Sequence, residues 1–392
     1  MREVVIVDAV RTPVGRRNGA LSSMHSADLL AVPFKALFDR TGMNPADVGQ
    51  VVGGCVSQIG QQAFNITRTA WLTAGLPLEV AATTVDTQCG SSQQAVDIAY
   101  ALIAAGVIDS AVAGGVEVMS KVPIGSNVAK GLDMGSPIPK TYFPQYEYTS
   151  QFDGAERIAK KWNITREDTD ALGLSSQERG ARAWAEDRFA TQIVPVDAPD
   201  LGEDGKPSGT THHVSRDEGL RDTTAESLAG LKPVFGEDGV HTAGNASQIS
   251  DGAGAVLLMT PEKAKELGLT PLARIVDTCL VGVDPVLMLT GPIDATQHLL
   301  ERNNLSVDDI DLFEINEAFA SVVLAWAREL EGDLERVNPN GGAIALGHPL
   351  GGTGSILITK AVHELQRTGG KRAIVTMCCG GGLGTGTLIE RL

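Results

Sequence analysis

A single cysteine stands between a predicted strand and a predicted helix in the stretch VDTQCGSSQQAVDIA, residues 85–99. A nucleophilic thiol reacts as its thiolate, and a helix N-terminus favours that anion through free backbone N–H groups and the helix dipole. Gly90 would let a ligand approach the backbone closely, and Ser91 or Ser92 would cap the helix. This placement predicts that Cys89 is a nucleophile, although a small buried cysteine beside a helix cap gives the same pattern.

Two glycine-rich stretches later in the chain also carry residues that can do chemistry. NGGAIALGHPLGGTGS (340–355) places His348 before a predicted helix, and it is not a phosphate-binding loop because no Gly-Lys-Ser/Thr follows its glycines. TMCCGGGLGTG (376–386) ends a predicted strand in Cys378 and Cys379, followed by three glycines. Taken singly, each stretch could be structural: a tightly packed loop in the first case, two core thiols in the second.

The composition is that of a globular protein, with 392 residues, 43% hydrophobic and 20% charged. The net charge of −16 and the lack of a basic stripe argue against nucleic acid and anionic membranes as partners. No apolar run approaches the roughly 18 residues of a membrane span. The start, MREVVIVDAVRTP, lacks the pattern of a signal peptide, so we expect a cytoplasmic protein.

The five cysteines are too few, and odd in number, for a disulfide framework. They include no Cys-x-x-Cys pair, and the histidines form no cluster with metal-ligand spacing. We therefore expect no metal site.

Strands alternate with helices along the chain, which predicts an α/β sheet layered with helices. RIVDTCLVG (274–282) echoes the opening VIVDAVRTP, and the helix and strand near the C-terminus echo those after Cys89. The offset of about 265 residues indicates a duplicated domain and not a solenoid. We predict a first half over 1–120, completed by about 245–268, and a second half over 269–392. The segment 121–244, which contains one clear amphipathic helix, is predicted to be an inserted loop domain.

Taken together, these motifs resemble those of the thiolases, the acyl-CoA:acetyl-CoA C-acyltransferases, along essentially the whole chain. The motifs, in the family's order, are VRTPVG, QCGS, GGVEVMS, HTAGNASQISDGA, NEAFA, GGAIALGHPLGGTG and the closing Cys-x-Gly-Gly-Gly. The resemblance implies a thiolase-like α/β fold. It would have two duplicated βαβαβ-type halves with mixed five-stranded sheets, in α/β/α/β/α layers, plus the loop domain.

The resemblance also implies an enzyme that transfers an acyl group between a 3-ketoacyl-CoA and CoA and releases acetyl-CoA. Cys89 would accept the acyl group, and His348 would activate that thiol and help to hold the thioester oxygen. Cys378 would protonate the acetyl-CoA enolate and later deprotonate the incoming CoA thiol. Cys379 would point to the other face of the strand, into the core.

Cleavage of a carbon–carbon bond β to a carbonyl leaves an enolate, so the site needs fixed donors where that charge develops. In the family pattern, Asn316 of NEAFA would hold a water beside His348 and form one oxyanion hole. The backbone N–H groups of Cys89 and Gly380 would form the other. Glu317 would be structural.

CoA and acyl-CoA would bind as substrates, with no permanently bound cofactor. Ser247 of GNAS matches a family position near the pantetheine arm, and Ala318 is assigned to the same binding surface. Arg221 matches a position near the adenine end, although a solvated loop charge would look the same. The family assembles as dimers or as dimers of dimers, so we expect a homodimer or a homotetramer.

One stretch departs from the family pattern of the short-chain acetoacetyl-CoA thiolases. Ser150 and Gln151 stand where those enzymes carry the His and Met of a His-Met-Gly segment. Three stretches, QFDGAERIAK, RAWAEDRFA and SVVLAWAREL, are instead similar to thiolases of sterol side-chain breakdown. This favours a bulky substrate.

Three alternatives remain open at this stage. The same residues would serve a biosynthetic enzyme that condenses two acetyl-CoA molecules. A thiolase-fold protein that binds acyl-CoA without turnover would usually lack the nucleophile or the histidine, and this chain has both. A ketoacyl synthase pairs its cysteine with two histidines or with a His and an Asn, and the Cys-x-Gly-Gly-Gly loop argues against that class.

Overall fold

A computed structural model describes residues 1–128 and 131–392. Its strands are β1 Val4–Arg11, β2 Gly15–Arg16, β3 Gln50–Gly54, β4 Ala82–Val85, β5 Ser110–Val118, β6 Val196–Leu201, β7 Pro207–Val214, β8 Ser250–Met259, β9 Ala273–Gly282, β10 Leu312–Ile315, β11 Arg372–Cys379 and β12 Leu383–Arg391. Its helices are α1 Ser26–Thr41, α2 Ile66–Thr73, α3 Ser91–Ala104, α4 Gln151–Lys161, α5 Arg166–Ala185, α6 Ala225–Ala229, α7 Pro261–Glu266, α8 Gly291–Arg302, α9 Ala320–Leu330, α10 Ala343–Leu346 and α11 Thr353–Thr368.

The main sheet runs in the order β4-β3-β5-β8-β1-β9-β12-β11-β10, and β2 pairs with β8 beside this path. The first five strands form the sheet of the first half, in which β3, β4 and β5 are parallel and β8 is antiparallel to both β5 and β1. The second half repeats this plan with β10 and β11 parallel and β12 antiparallel. Its fifth position is reduced to a single bridge between Phe313 and Val337. The predicted α/β fold with duplicated halves is confirmed.

The helices form three layers around these strands. Helices α1 and α2 cover the outer face of the first half, and α8 and α9 cover the outer face of the second. Helices α3 and α11 lie between the halves and touch strands of both. Three hydrophobic clusters fill the spaces between the layers. Because strands such as β1 are buried on both faces, they read as nearly continuous apolar runs.

The N-termini of α3 and α11 meet in the middle of the molecule. The backbone N–H of Ser355 donates to the hydroxyl of Ser92 across this contact, at 2.9 Å. A side chain at Gly354 would place its Cβ only 2.2 Å from the backbone nitrogen of Gln93. Glycine is therefore required at this crossing, and it brings together the chain segments that precede the two helices.

The segment 121–244 is more regular than the sequence predicted. It contains α4, α5, α6 and the hairpin of β6 and β7, where we expected one clear helix. We did not predict helix α4 because it is short and contains a glycine, Gly154, which lowers helix propensity. A glycine is needed there because a Cβ on residue 154 would lie only 2.8 Å from the carbonyl oxygen of Leu287. The hairpin strand β7 is mostly exposed and polar, so it lacks an apolar pattern. The three-part domain division stays a prediction.

No helix in the described ranges 1–128 and 131–392 is long and apolar enough to span a bilayer.

A buried ion pair ties α11 to β10. The Lys360 ammonium donates to the Glu314 carboxylate and to the Gly341 carbonyl, both at 2.7 Å. Both side chains are at most 2% exposed. Such a pair fixes the position of the helix behind the site because neither charge has access to water.

We predict that Lys360→Met destabilises the fold by about 3–5 kcal/mol, because it leaves the Glu314 carboxylate buried without its partner. Lys360→Met combined with Glu314→Leu should recover most of that loss. Urea denaturation followed by circular dichroism checks this. A single variant with the wild-type midpoint would contradict the account.

Candidate active site

Cys89 lies on a sharp turn that joins β4 to α3. Gln88, just before it, has a positive φ of 50°. The Ser91 hydroxyl accepts from the Thr87 backbone N–H at 2.9 Å and donates to the Gln88 carbonyl at 2.6 Å. The expected serine cap is wrong: the N-cap is Gly90, which makes no side-chain cap hydrogen bond. Ser91 instead closes the turn from inside the helix.

The Cys89 thiol is 4% exposed, and its surroundings favour the protonated form. Burial raises its pKa to about 12, and the charges of Glu117 and Asp86 act in the same direction. Two backbone N–H groups, those of Gly380 and of Cys89 itself, face the sulfur and oppose this rise. The two N–H groups predicted to form an oxyanion hole thus both face the Cys89 sulfur. Because the resting thiol is protonated, a base must remove its proton before it can react as a thiolate.

His348 carries its ring proton on the nitrogen that faces away from Asn316. The Thr353 hydroxyl donates to the Pro349 carbonyl at 2.8 Å, so it accepts from His348 Nδ1–H at 2.6 Å. This leaves Nε2 without a proton, 3.3 Å from the amide nitrogen of Asn316. Burial lowers the pKa of His348 to about 4. The ring is therefore neutral at physiological pH and can accept a proton at Nε2.

Asn316 follows β10 and is held there by its backbone N–H, which donates to the Thr376 carbonyl at 3.1 Å. Its side-chain oxygen is buried and has no hydrogen-bond partner among the described residues. Such an orphaned acceptor fits a bound water or a substrate group. The neighbouring Glu317 accepts hydrogen bonds from Ser176, Asn338 and the Ile344 N–H, which agrees with its expected structural position.

Cys378 and Cys379 point to opposite faces of β11. Cys378 packs into the cluster under α8 and α9, whereas Cys379 packs into the central cluster with Cys89. Burial raises the pKa of Cys378 well above its ordinary value, and the nearby Cys89 raises it further. The sulfur of Cys379 lies 2.7 Å from the position that a Cβ on Gly90 would take. Cys89 raises the pKa of both Cys378 and Cys379, so both thiols lie within electrostatic reach of Cys89.

Sequence reasoning missed Glu117, a fully buried carboxylate at the end of β5. It accepts from the backbone N–H groups of Val56 and Ser57, each at 3.0 Å, and from that of Gly351 at 2.9 Å. Glu117 thereby fixes the glycine loop that carries His348 against the first half. An acidic residue inside the otherwise apolar strand SAVAGGVEV was the available signal.

A cavity of about 110 Å³ opens beside His348. It is lined by Ser247 and Ala318, whose backbones are joined by a 2.9 Å hydrogen bond, and by apolar side chains that include Met119, Ile124, Phe152, Ile249, Phe319 and Leu350. Ser247 and Ala318 thus line the same cavity as His348, and their contact with the pantetheine arm stays a prediction. Within the described residues, no group of three or more His, Cys, Asp or Glu side chains could hold a metal ion.

Arg221 and Ser150 do not line this cavity. The Arg221 guanidinium is exposed and lies 3.4 Å from the Ala243 carbonyl, on the outer side of the loop that leads to Ser247. Ser150 caps α4 by accepting from the Asp153 N–H at 3.2 Å. Its neighbour Gln151 does line the cavity.

Comparison with known proteins covers the whole chain. Residues 4–262 match the family model for the thiolase N-terminal domain, and residues 269–391 match that for the thiolase C-terminal domain. The steroid 3-ketoacyl-CoA thiolase FadA6 of Mycobacterium tuberculosis is 48% identical over 100% of this chain and 95% of that protein. A 3-ketoacyl-CoA thiolase of Bacillus subtilis and a beta-ketoadipyl-CoA thiolase of Pseudomonas aeruginosa are 42% and 43% identical, with full coverage of both proteins in each comparison.

Solved structures agree with these sequence relatives. The acetyl-CoA acetyltransferase of Bacillus anthracis superposes with a TM-score of 0.89 at 41% identity, covering 100% of this chain and 99% of that one. Human mitochondrial 3-ketoacyl-CoA thiolase gives a TM-score of 0.89 at 37% identity with the same coverage. The chain therefore belongs to the thiolase family, which confirms the family, the fold and the acyltransferase class that the sequence predicted.

Proposed function

We propose that this protein is a degradative thiolase that cleaves a 3-ketoacyl-CoA with CoA through an acyl-Cys89 intermediate. The observation that best supports this is that the Cys89 thiol interacts with two groups: it raises the pKa of the Cys378 thiol, and the Gly380 N–H faces its own sulfur. One thiol can act as nucleophile while the other gives and takes a proton. The full-length relatives named as 3-ketoacyl-CoA thiolases support the direction of cleavage.

In the first half-reaction, the sulfur of Cys89 attacks the 3-keto carbon while His348 Nε2 takes the thiol proton. The bond between C2 and C3 then breaks, and the electron pair passes to C2 as the enolate of acetyl-CoA. Cys378, a protonated thiol at rest because its pKa is raised, donates its proton to C2. Acetyl-CoA leaves, and the shortened acyl group stays on Cys89 as a thioester.

In the second half-reaction, the Cys378 thiolate takes the proton of the incoming CoA thiol, and the CoA sulfur attacks the acyl-Cys89 carbonyl. The bond between the Cys89 sulfur and that carbon then breaks, and the shortened acyl-CoA leaves. The Cys89 sulfur takes back the proton that His348 has held since the first half-reaction, which restores the resting enzyme. The backbone N–H groups of Cys89 and Gly380 would stabilise the oxyanion formed at that carbon. Asn316 and His348 would hold a water against the thioester oxygen where the enolate charge develops. Burial supports both roles because donors in a dry site stabilise charge more strongly than donors in water.

For the substrate, we propose an apolar acyl group, and the similarity to the steroid relative supports a bulky one. The described side chains that line the cavity include Phe152, Phe319, Ile124 and Leu350 but no Lys or Arg that could pair with a distal carboxylate. This favours the substrate class in the printed name of the steroid relative over that of the beta-ketoadipyl relatives. The acetyl-CoA acetyltransferase neighbour keeps the condensing direction as the alternative, since the same residues serve both directions.

We further propose that Ser247 and Ala318 contact the pantetheine arm and Arg221 the adenine end, with CoA and acyl-CoA as substrates and no permanently bound cofactor. Among the described residues, β4 pairs only with β3, and this open edge supports a homodimer or a homotetramer. The neighbouring Phe64 and Leu78 are 97% and 69% exposed. Five free cysteines support the cytoplasm as the compartment.

We predict that Cys89→Ala abolishes acylation by every 3-ketoacyl-CoA from four carbons to sterol size. Cys378→Ala should still be acylated by a simple thioester but should lose roughly 100-fold to 10,000-fold in carbon–carbon cleavage, because the enolate finds no acid. Steady-state and single-turnover rates check both. Cys279→Ala, at a buried cysteine of β9 outside the site, is the matched control and should keep wild-type rates. For Cys378→Ala, equal losses in acylation by the simple thioester and in carbon–carbon cleavage would contradict its assigned role.

The acylation rate should be nearly independent of pH from about pH 5 to about pH 9, because neither group titrates in that range. Burial raises the pKa of Cys89 to about 12 and lowers that of His348 to about 4, so thiol and imidazole are both neutral throughout. The rate should fall only as the pH approaches 4 and His348 takes a proton. Rapid-quench measurement of acyl-enzyme at several pH values checks this. A change in the acylation rate near the ordinary pKa of histidine would contradict it.

A further inference from the structure

A fully buried histidine outside the reacting groups joins three walls of the cavity. His241 has a side-chain exposure of 0%, and its Nδ1 lies 2.9 Å from the Glu156 carboxylate of α4. Its Nε2 lies 2.8 Å from the hydroxyl of Ser321, in the first turn of α9. His241 itself belongs to the loop that carries Ser247. One side chain thus connects two helices and a loop.

Each of these three elements contributes residues to the cavity beside His348. Helix α4 contributes Phe152, one turn before Glu156, and the chain entering α9 contributes Phe319, two residues before Ser321. The Phe319 ring stands edge-on between the Phe152 ring at 4.9 Å and the His241 ring at 5.3 Å. The position of the imidazole therefore bears directly on the aromatic wall.

Both ring nitrogens of His241 have a hydrogen-bond partner. Burial alone would raise the pKa of Glu156, but hydrogen bonds from His241 and Val240 outweigh it, so the carboxylate is ionised and needs donors. Nδ1–H of His241 donates to it, together with the backbone N–H groups of Val240 and His241, each at 3.1 Å. Nε2 shares a hydrogen bond with the Ser321 hydroxyl. Every polar atom of the imidazole is satisfied, which makes the connection rigid.

We propose that His241 is a positioning residue for acyl transfer: its contacts with Glu156 and Ser321 set the separation of α4 and α9 and thereby the place of the substrate's acyl group against His348. The proposal rests on the proposed function. His241 does not line the cavity, whereas Phe152 and Phe319 do, so it would act through those two rings. A small misplacement of the reacting carbon from the attacking sulfur is enough to slow acyl transfer.

The test compares two substitutions of His241 in the full-length protein. His241→Leu keeps the volume but removes both hydrogen bonds, and it should lower kcat/KM for a long-chain 3-ketoacyl-CoA roughly 10-fold to 100-fold. His241→Gln, whose amide can donate to Glu156 and accept from Ser321, should stay within about threefold of wild type. The loss in His241→Leu should fall mainly on the acylation rate and less on the KM for CoA, a split that a general loss of stability would not produce.

His363→Leu is the matched control. That half-buried histidine also has partners on both ring nitrogens, Thr191 and the Ala9 carbonyl, but lies outside the cavity. Its variant should keep wild-type rates. If His241→Leu does not fold, as judged by circular dichroism, Ser321→Ala removes one of the two contacts and should lower acylation in the same direction.

Two results would overturn the proposal: wild-type kinetics in a folded His241→Leu variant, or equal losses in His241→Leu and His241→Gln. Absence of turnover by the wild-type protein would instead count against the proposed function. In that case, calorimetric affinity for a long-chain acyl-CoA replaces kcat/KM as the measurement. Unchanged affinity in His241→Leu would then overturn the role of His241.

Discussion

The close contact between the N-termini of α3 and α11 is the constraint on which the site depends. Gly354 allows the two helices to meet, and Ser92 and Ser355 join them by a hydrogen bond. The turn before α3 carries Cys89, and the loop before α11 carries His348. Because each helix comes from one half of the duplicated fold, the contact brings together two groups that neither half holds alone. Their two dipoles also favour negative charge at this point.

Burial decides how the reacting groups are protonated. The same loss of water raises the pKa of Cys89 and lowers that of His348, so the resting state holds a neutral thiol and a neutral imidazole and not an ion pair. In the proposed mechanism, Cys89 therefore loses its proton to His348 only as its sulfur attacks the carbonyl carbon. The buried Glu117 keeps the geometry fixed, since it holds the loop of His348 through the Gly351 N–H. In this arrangement, the backbone N–H groups at the site can stabilise an anion, although Cys89 itself is not ionised at rest.

The sequence identified residues whose signal is local. Cys89, His348 and Cys378 lie in glycine-rich turns next to periodic elements, and the structure brings their segments together; their catalytic roles stay predictions. Residues whose partners are distant in the chain were missed: Glu117 binds Gly351, and His241 binds Ser321. The serine cap was wrong because Ser91 bonds back to Thr87 and Gln88, a choice that propensity does not determine. Hydrogen bonds of this kind form only once the chain has folded, and the spacing of apolar residues in the sequence does not predict them.

Peptide mapping of a trapped acyl-enzyme tests the central claim most directly. The protein is mixed with a 3-ketoacyl-CoA in the absence of free CoA, quenched in acid, digested and analysed by tandem mass spectrometry. If the turn before α3 presents the nucleophile, the shortened acyl group is found on the peptide that contains Cys89. An acyl group on the peptide of Cys378 and Cys379, or none on any cysteine, would contradict the account.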